Sequence, residues 1–285
     1  MHFALYAVLA AVLLLPTPAD AQERGAFIAF DGKTKDWAPV FERMHDAGMD
    51  TAIVQFTCTT SGYFYSEETD AFIHAAETAG MNYYLGLRYH EEWDGKNAPV
   101  SMYVNDSIEL MTKVLPPKIK NTKHFKGWYM ALEVGNDEVA VKHTEKLKEI
   151  AKKKGGRRIA MSVYFNPNTA QGKLTPKAFA SAIKDTLRLY DVVLFQDSVG
   201  KHGPLAAKNL KKYYRAIDDN YPGELWMDVE AFRGNGTATE ADFAKQLDAA
   251  LALNKGRNIF VFEFLRNLYP ISGALAAWNK KFGNR

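Results

Sequence analysis

The sequence lacks the features that mark several protein classes. It has one cysteine, Cys58, in 285 residues, so no disulfide can form within the chain and a disulfide-stapled fold is excluded. Basic residues outnumber acidic ones by only 36 to 33, without the basic excess typical of nucleic-acid binders. Hydrophobic residues make up 47% of the chain and aromatic residues 13%, more than a disordered chain carries. What is present is the composition of a globular protein whose length fits one large domain.

Several catalytic motifs are missing as well. The acidic run after His90 lacks the H-E-x-x-H spacing of a helical zinc site, and the other histidines are scattered. No G-x-S-x-G elbow is present, which disfavours a serine hydrolase of that type. We therefore predict no metal and no cofactor.

The longest apolar run is short and N-terminal. Residues 4–15 are apolar throughout, and Pro16, Pro18 and the small-x-small triplet 19–21 follow. This is the pattern of a secretory signal peptide, and twelve residues are too few to span a bilayer comfortably. We predict a signal peptide over 1–21 and a mature chain over 22–285 that is periplasmic or secreted, without an integral membrane domain. The alternative is an uncleaved N-terminal anchor.

Eight short apolar runs, rich in Val, Ile, Phe and Tyr, recur along the rest of the chain. They are GAFIAFD (25–31), TAIVQFT (51–57), NYYLGLRYH (82–90), KGWYMALEV (126–134), RIAMSVYFN (158–166), VVLFQDS (192–198), ELWMDVEAF (224–232) and NIFVFEFL (258–265). Such composition is typical of buried strands. Most starts lie about 33 residues apart, the length of one strand, one helix and two loops.

Helical signals fill the intervals between these runs. Gly48 and Gly80 stand at expected helix C-caps, Thr175-Pro176 opens a helix, and Thr239 with Asp242 resembles a capping box. Eight β/α units predict a single α/β domain, a (β/α)8 TIM barrel over 22–285. The alternative, a doubly wound open sheet, is disfavoured because no G-x-G-x-x-G follows the first strand.

Two carboxylates stand at the ends of apolar strands, where the active site of a TIM barrel lies. Glu133 closes the fourth predicted strand and Glu230 the seventh. An ionised carboxylate in such a run is costly unless it is paired or functional. Strands four and seven of an eight-stranded ring face each other across its mouth. Glycoside hydrolysis needs such a pair, one protonating the leaving oxygen and the other attacking the sugar or activating water. The alternative is that each acid pairs with a basic residue at the rim.

The same two positions carry a family resemblance. A Glu ending strand four and a Glu ending strand seven resemble the clan-A retaining glycoside hydrolases. The runs GWYMALEVGND (127–137), VLFQDSVG (193–200) and LWMDVEAF (225–232) more specifically resemble a bacterial family of exported, glycosidase-like barrels known as a domain of unknown function. The resemblance implies Glu133 as acid/base and Glu230 as nucleophile. Leu132 stands where clan-A enzymes commonly have an Asn that contacts the sugar 2-hydroxyl, so either another residue makes that contact or the assignment is shifted.

Other polar residues at strand ends could bind sugar hydroxyls. These predicted substrate-binding residues are Gln55, His90, Tyr164, Asn166, Gln196, Asp197 and Asp228. Gln196 or Asn166 could take the place of the missing Asn. Asp228 lies two residues before Glu230 and faces the same side of a strand, where it could hold Arg88 or tune the pKa of Glu230.

The sequence thus predicts an exported glycoside hydrolase that cleaves a polysaccharide or oligosaccharide by a retaining mechanism. In that mechanism the environment of Glu133 raises its pKa, while Glu230 stays ionised. A second hypothesis is a non-catalytic glycan-binding barrel in a surface polysaccharide system. A third is another barrel hydrolase or lyase that uses Asp197 with Asp228. A carbohydrate is the partner expected in the first two, and no nucleic acid in any of them.

Overall fold

The computed structural model describes residues 22–59, 64–89, 100–136, 146–234, 236–269 and 272–283. The predicted signal peptide, residues 1–21, and the predicted site residue His90 lie outside these ranges. Within them, no helix combines the length and apolar character that crossing a bilayer requires.

Eight parallel strands close into a barrel in the order β1-β10-β7-β6-β5-β4-β3-β2. The barrel strands are β1 (Arg24–Ile28), β2 (Thr51–Val54), β3 (Asn82–Gly86), β4 (Phe125–Gly135), β5 (Arg158–Tyr164), β6 (Val192–Gln196), β7 (Glu224–Glu230) and β10 (Ile259–Phe262). A short antiparallel hairpin of β8 (Phe232–Arg233) and β9 (Gly236–Thr237) follows β7. All eight predicted strands and the TIM barrel they imply are confirmed.

Helices surround the barrel. They are α1 (Ala38–Asp46), α2 (Ser66–Ala79), α3 (Val100–Glu109), α4 (Pro116–Ile119), α5 (described over 146–152), α6 (Pro176–Leu187), α7 (Val199–Asp218), α8 (Glu240–Asn254) and α9 (Gly273–Phe282). The predicted ends hold where the local chemistry is specific. Thr175 and Thr239 each accept a hydrogen bond from the backbone N–H three residues on, and Gly80 caps α2 with a positive φ of 72°.

Alternate residues along the strands point into the barrel, where a layer of large side chains fills its lower part. Its members are Phe27, Ile53, Tyr84, Tyr129, Ala160, Val192, Leu194, Trp226 and Phe260. The rings of Trp226 and Phe260 stack at 5.0 Å between centroids. Successive strand residues face opposite sides, so the inward-facing residues that follow this layer, two or four positions later on each strand, lie at the C-terminal mouth. They include Gln196 on β6 and Glu230 on β7.

The fourth strand departs from regular pairing. Met130 of β4 pairs with Met161 of β5, but the next paired residue of β4 is Glu133, opposite Ser162. Two residues of β4 are therefore extra at this point. Such bulges re-aim the side chains that follow them and are frequent beside active sites. The bulge immediately precedes the carboxylate singled out from the sequence.

Candidate active site

Glu133 and Glu230 lie together at the C-terminal mouth of the barrel. Both line one cavity of about 210 Å³, although they belong to strands three places apart in the eight-stranded ring. The other residues that line it are Tyr164, Gln196, Ser198, Lys201, His202, Phe232 and Phe262. The barrel thus brings together four residues singled out from the sequence: Glu133, Tyr164, Gln196 and Glu230.

The Glu133 carboxyl group accepts a hydrogen bond from β6, which lies two places from β4 in the barrel. Nε2 of Gln196, the last residue of β6, donates a hydrogen bond of 2.5 Å to Oε1 of Glu133. Burial raises the pKa of Glu133, and the Gln196 donor and the Lys201 charge oppose that rise. A raised pKa keeps a proton available for donation, as a general acid requires.

Main-chain donors fix the Glu230 carboxyl group. Glu230 is only 5% exposed, and its Oε2 accepts a hydrogen bond of 3.2 Å from the backbone N–H of Lys201 in the first turn of α7. Gly200 packs directly against it, since a Cβ at that position would lie 2.9 Å from Oε2. A helix N-terminus favours an anion, so this contact stabilises the ionised carboxylate.

Burial nevertheless raises the pKa of Glu230 to about 8, and the Asp197 carboxylate beside it adds to the rise. The structure departs here from the expectation that Glu230 stays ionised in the resting site. The physical reason is burial together with the neighbouring carboxylates. Two further acids lie close to it, whereas the main-chain donors compensate for only part of their effect.

Asp197 lies beneath Glu230 in a set of hydrogen bonds. Its Oδ1 accepts the backbone N–H groups of Val199 at 3.1 Å and of Glu230 at 3.3 Å, and its Oδ2 accepts from Nε2 of Gln246. Arg233 donates to the oxygen of the same Gln246 amide. Burial raises the pKa of Asp197 to about 6 against these donors. Asp197 is completely buried, so it orients the backbone of Glu230 and does not line the cavity.

Asp228 is completely buried in the barrel interior, two residues before Glu230. Neither of its carboxyl oxygens has a hydrogen-bond partner among the described residues. Burial raises its pKa well above the usual value, and the nearby charges of Glu230, Asp197 and Glu133 act in the same direction. The partner considered from the sequence, Arg88, instead forms a 2.6 Å ion pair with Asp106. This environment favours the protonated form of Asp228, which lies beneath Glu133 and Glu230.

A wider cleft of about 620 Å³ continues from the small cavity across the mouth of the barrel. Gln55 and Tyr164 line it, as predicted for substrate-binding residues, and the rings of Phe56 and Tyr89 stack beside them at 4.9 Å between centroids. Lys201 and Arg266 line it as well. The cleft has the amide, hydroxyl and aromatic surfaces that contact sugar hydroxyls and C–H faces.

Asn166 is placed differently. Its side-chain oxygen accepts the backbone N–H of Asn168 at 3.0 Å, and its backbone N–H donates to Asn136. It lines neither cavity. Of the two residues considered as replacements for the missing Asn before Glu133, only Gln196 reaches that carboxylate. Among the described residues no group of His, Cys, Asp and Glu is arranged to hold a metal ion.

Sequence reasoning missed several residues of the site, and four of them bear on its chemistry. Lys201 and Gly200 follow the sixth strand, Gln246 lies on α8, and Arg266 lies in a π-helical turn after β10. The first two directly follow a predicted strand end and could have been found by extending each strand by a few residues. Gln246 and Arg266 reach the site through tertiary packing, for which the local sequence carries no signal.

Most of this sequence matches one protein family. Residues 28–272 match the family described as "Domain of unknown function (DUF4434)". The chain is a member of the DUF4434 family. No protein among the curated sequences matches it.

Solved structures share the fold of this DUF4434 protein. A putative alpha-L-fucosidase from Bacteroides thetaiotaomicron superposes with a TM-score of 0.72 at 17% identity, covering 99% of both chains. A chitinase from Chromobacterium violaceum gives 0.62 at 11% identity over 93% of this chain and 100% of its own. The xylanase TsXylA from Thermoanaerobacterium saccharolyticum gives 0.59 at 12% identity over 91% and 96%. At these identities the likeness establishes a shared barrel.

Proposed function

We propose that this DUF4434 protein is a glycoside hydrolase. The observation that carries the proposal is that Glu133 and Glu230, from strands three places apart in the ring, line one small cavity at the C-terminal mouth of the barrel. Glycoside hydrolysis requires two carboxyl groups that flank the scissile bond. The similar barrels named as a fucosidase, a chitinase and a xylanase support the same class of reaction.

The proposed mechanism is a retaining double displacement. Glu133 donates its proton to the glycosidic oxygen while the carboxylate of Glu230 forms a bond to the anomeric carbon, and the bond to the leaving sugar breaks. Glu133 then takes a proton from a water molecule, whose oxygen displaces Glu230 from the anomeric carbon. In this scheme Gln196 orients Glu133, and the main chain at Gly200 and Lys201 orients Glu230.

The first experiment removes each carboxylate in turn. We expect Glu133→Gln and Glu230→Gln to abolish the release of reducing ends from a panel of bacterial and plant polysaccharides that the unmodified protein cleaves. The control is Glu149→Gln, which makes the same chemical change at an exposed position on α5. Circular dichroism and thermal melting establish that each variant folds. Full activity of Glu230→Gln would refute the assignment of the nucleophile.

The second experiment tests the stereochemistry. A retaining enzyme first releases the anomer that the substrate carried, and an inverting enzyme releases the other. NMR spectroscopy of the product in the first minutes distinguishes them. Retention requires carboxyl groups about 5–5.5 Å apart, and inversion about 6.5–9.5 Å. Release of the opposite anomer would replace the nucleophilic role of Glu230 with that of a general base.

We also propose that the protein acts outside the cytoplasm, because residues 1–21 have the pattern of a secretory signal peptide. Expression in a bacterial host followed by cell fractionation checks this. We expect the protein in the periplasm or medium, with a mature N-terminus at Gln22 in the intact mass spectrum. A protein retained in the cytoplasm with residues 1–21 present would contradict the proposal.

A further inference from the structure

The cleft around the two carboxylates carries two exposed cations. Lys201, in the first turn of α7, lines both the small cavity and the wider cleft, and Arg266, in the turn after β10, lines the wider cleft. Neither forms an ion pair with a carboxylate of the described residues. Most exposed basic side chains need no explanation, but two of them in the concave wall of a sugar-sized cleft are placed to meet a ligand.

The acids nearest to these cations are engaged elsewhere. The Glu263 carboxylate, which precedes Arg266, accepts the backbone N–H groups of Leu265 at 3.1 Å and Arg266 at 3.0 Å. The Glu133 carboxyl accepts from Gln196, and Glu230 accepts from the main chain of Lys201. The ammonium group of Lys201 itself lies 5.8 Å from the centroid of the Tyr164 ring. Its charge thus lies near an aromatic wall of the cleft, close enough to act on Glu133 but without an ion pair to it.

The charge of the lining in the reactive state also favours an anion. The proposed mechanism needs one of Glu133 and Glu230 protonated and the other ionised, so this pair contributes a single negative charge. Lys201 and Arg266 contribute two positive charges. Asp228, which lies beneath the pair, adds no charge while it holds its proton. Counted over the described residues, the lining therefore carries a net positive charge when a glycan is bound, which a neutral sugar would leave uncompensated.

We propose that the substrate of this site is an anionic glycan, in which the acidic group of a sugar next to the scissile bond is bound by Lys201 and Arg266. A planar guanidinium binds a carboxylate or sulfate through two parallel hydrogen bonds, and an ammonium adds a compact charge. A uronic acid and a sulfated sugar both present this chemistry. The inference rests on the proposed function, because it names the substrate class of the same site.

The test measures binding separately from cleavage. The Glu230→Gln variant is titrated at low ionic strength with polygalacturonate, alginate and hyaluronan, and with the methyl ester of each, which keeps the backbone and removes the charge. A sulfate arm uses κ-carrageenan against agarose. We expect at least one acidic polymer to bind at least 10-fold more tightly than its uncharged counterpart, with the difference reduced by added salt. The arm that responds distinguishes a uronate from a sulfate.

Second-site variants establish which residues read the charge. We expect Lys201→Met and Arg266→Met to bring the affinity for the acidic polymer close to that for its uncharged counterpart. The matched controls are Lys208→Met on the same helix and Arg188→Met after α6, both exposed and outside the cleft. These controls should keep the full preference, and all four variants should melt at similar temperatures.

Two results would overturn the inference, and both differ from failure of the proposed function. One is equal affinity for charged and uncharged polymers, or no binding of any acidic polymer. The other is a charge preference that Lys201→Met and Arg266→Met leave intact. Cleavage of a neutral glycan with no such preference would leave a hydrolase without this specificity. A charge-dependent affinity without cleavage of any bound polymer would leave the anionic-glycan site and refute the hydrolase.

Discussion

Nε2 of Gln196 donates a hydrogen bond to Oε1 of Glu133 from a strand two places away in the barrel. This contact does two things at once. It fixes the direction in which Glu133 points, and it stabilises the ionised form of a carboxyl group whose pKa burial raises. Its removal should therefore have a kinetic effect and a separate effect on the pH profile.

The first prediction concerns Gln196→Leu, which removes this donor. We expect kcat/KM to fall roughly 10- to 100-fold, the range of one hydrogen bond to a charged group. We also expect the alkaline limb of the pH profile to move to higher pH, because the pKa of Glu133 rises further without the donor. The control is Gln171→Leu at an exposed position. A loss of activity with an unchanged alkaline limb would mean that Gln196 contacts only substrate.

The second prediction concerns Gly200→Ala. The added methyl group would lie 2.9 Å from Oε2 of Glu230 and 2.9 Å from the Phe232 ring, so one of them must move. We expect kcat/KM to fall about 100-fold, the cost of misplacing a reacting group by about an ångström. Gly236→Ala is the matched control, because its nearest neighbour would be 3.8 Å away. Wild-type activity in Gly200→Ala would show that the Glu230 carboxylate is not held where we place it.

The third prediction separates the two carboxylates by their titration. An aryl glycoside with a good leaving group needs no acid, so in Glu133→Gln we expect the titration of the nucleophile to govern kcat/KM. Burial and Asp197 raise the pKa of Glu230 to about 8, and the Glu133 charge is a smaller contribution that the variant removes. We expect the rate to rise with pH through a midpoint somewhat below 8 and then level off. A rate that falls as the pH rises through this midpoint would mean that Glu230 is the acid and Glu133 the nucleophile.

The fourth prediction concerns stability. The pKa of Asp228 is raised well above its usual value in the folded protein by burial and by three neighbouring acids. Between the unfolded and folded pKa values the native state holds a proton that the unfolded state has lost, so stability falls as pH rises. Asp228→Asn removes this contribution. We expect its free energy of unfolding to exceed that of wild type by at least about 1 kcal/mol at pH 8, with a smaller difference at pH 4.

Urea denaturation at both pH values measures this effect. Asp185→Asn is the control, because the Asp185 side chain is 81% exposed. We expect no pH-dependent difference between this control and wild type. A wild-type pH dependence in Asp228→Asn would mean that Asp228 gains a partner in solution and is ionised there.

The barrel could be predicted from the sequence because it depends on local patterns of apolar residues. Eight apolar runs spaced about one β/α unit apart leave little choice of architecture, and strand ends then indicate where polar residues converge. Glu133 and Glu230 could be selected in this way. The bounds of α3 and α4 were not predicted from the sequence. The bulge in β4 was not predicted either, because hydrophobic pattern and strand propensity do not specify how two strands pair.

The electrostatics of the site could not be predicted from the sequence for a different reason. Whether Glu230 is ionised depends on Asp197, Gln246 and the start of α7, which converge from separate parts of the chain. The same holds for Asp228, whose partner was sought in Arg88. That guanidinium turns instead to Asp106, a residue that the strand-end argument did not consider.

The aromatic layer beneath the site separates Asp228 from solvent at the N-terminal end of the barrel. Trp226, two residues before Asp228, stacks on Phe260, which pairs with Asp228 from β10, and both rings are essentially inaccessible to solvent. A proton that leaves or reaches Asp228 must therefore pass Glu230 and the mouth through which substrate enters. Under the proposed function, a glycan bound in the cleft would cover that route. Under the proposed mechanism, we therefore expect the protonation state of Asp228 to be set before the substrate binds and to persist until the leaving sugar departs.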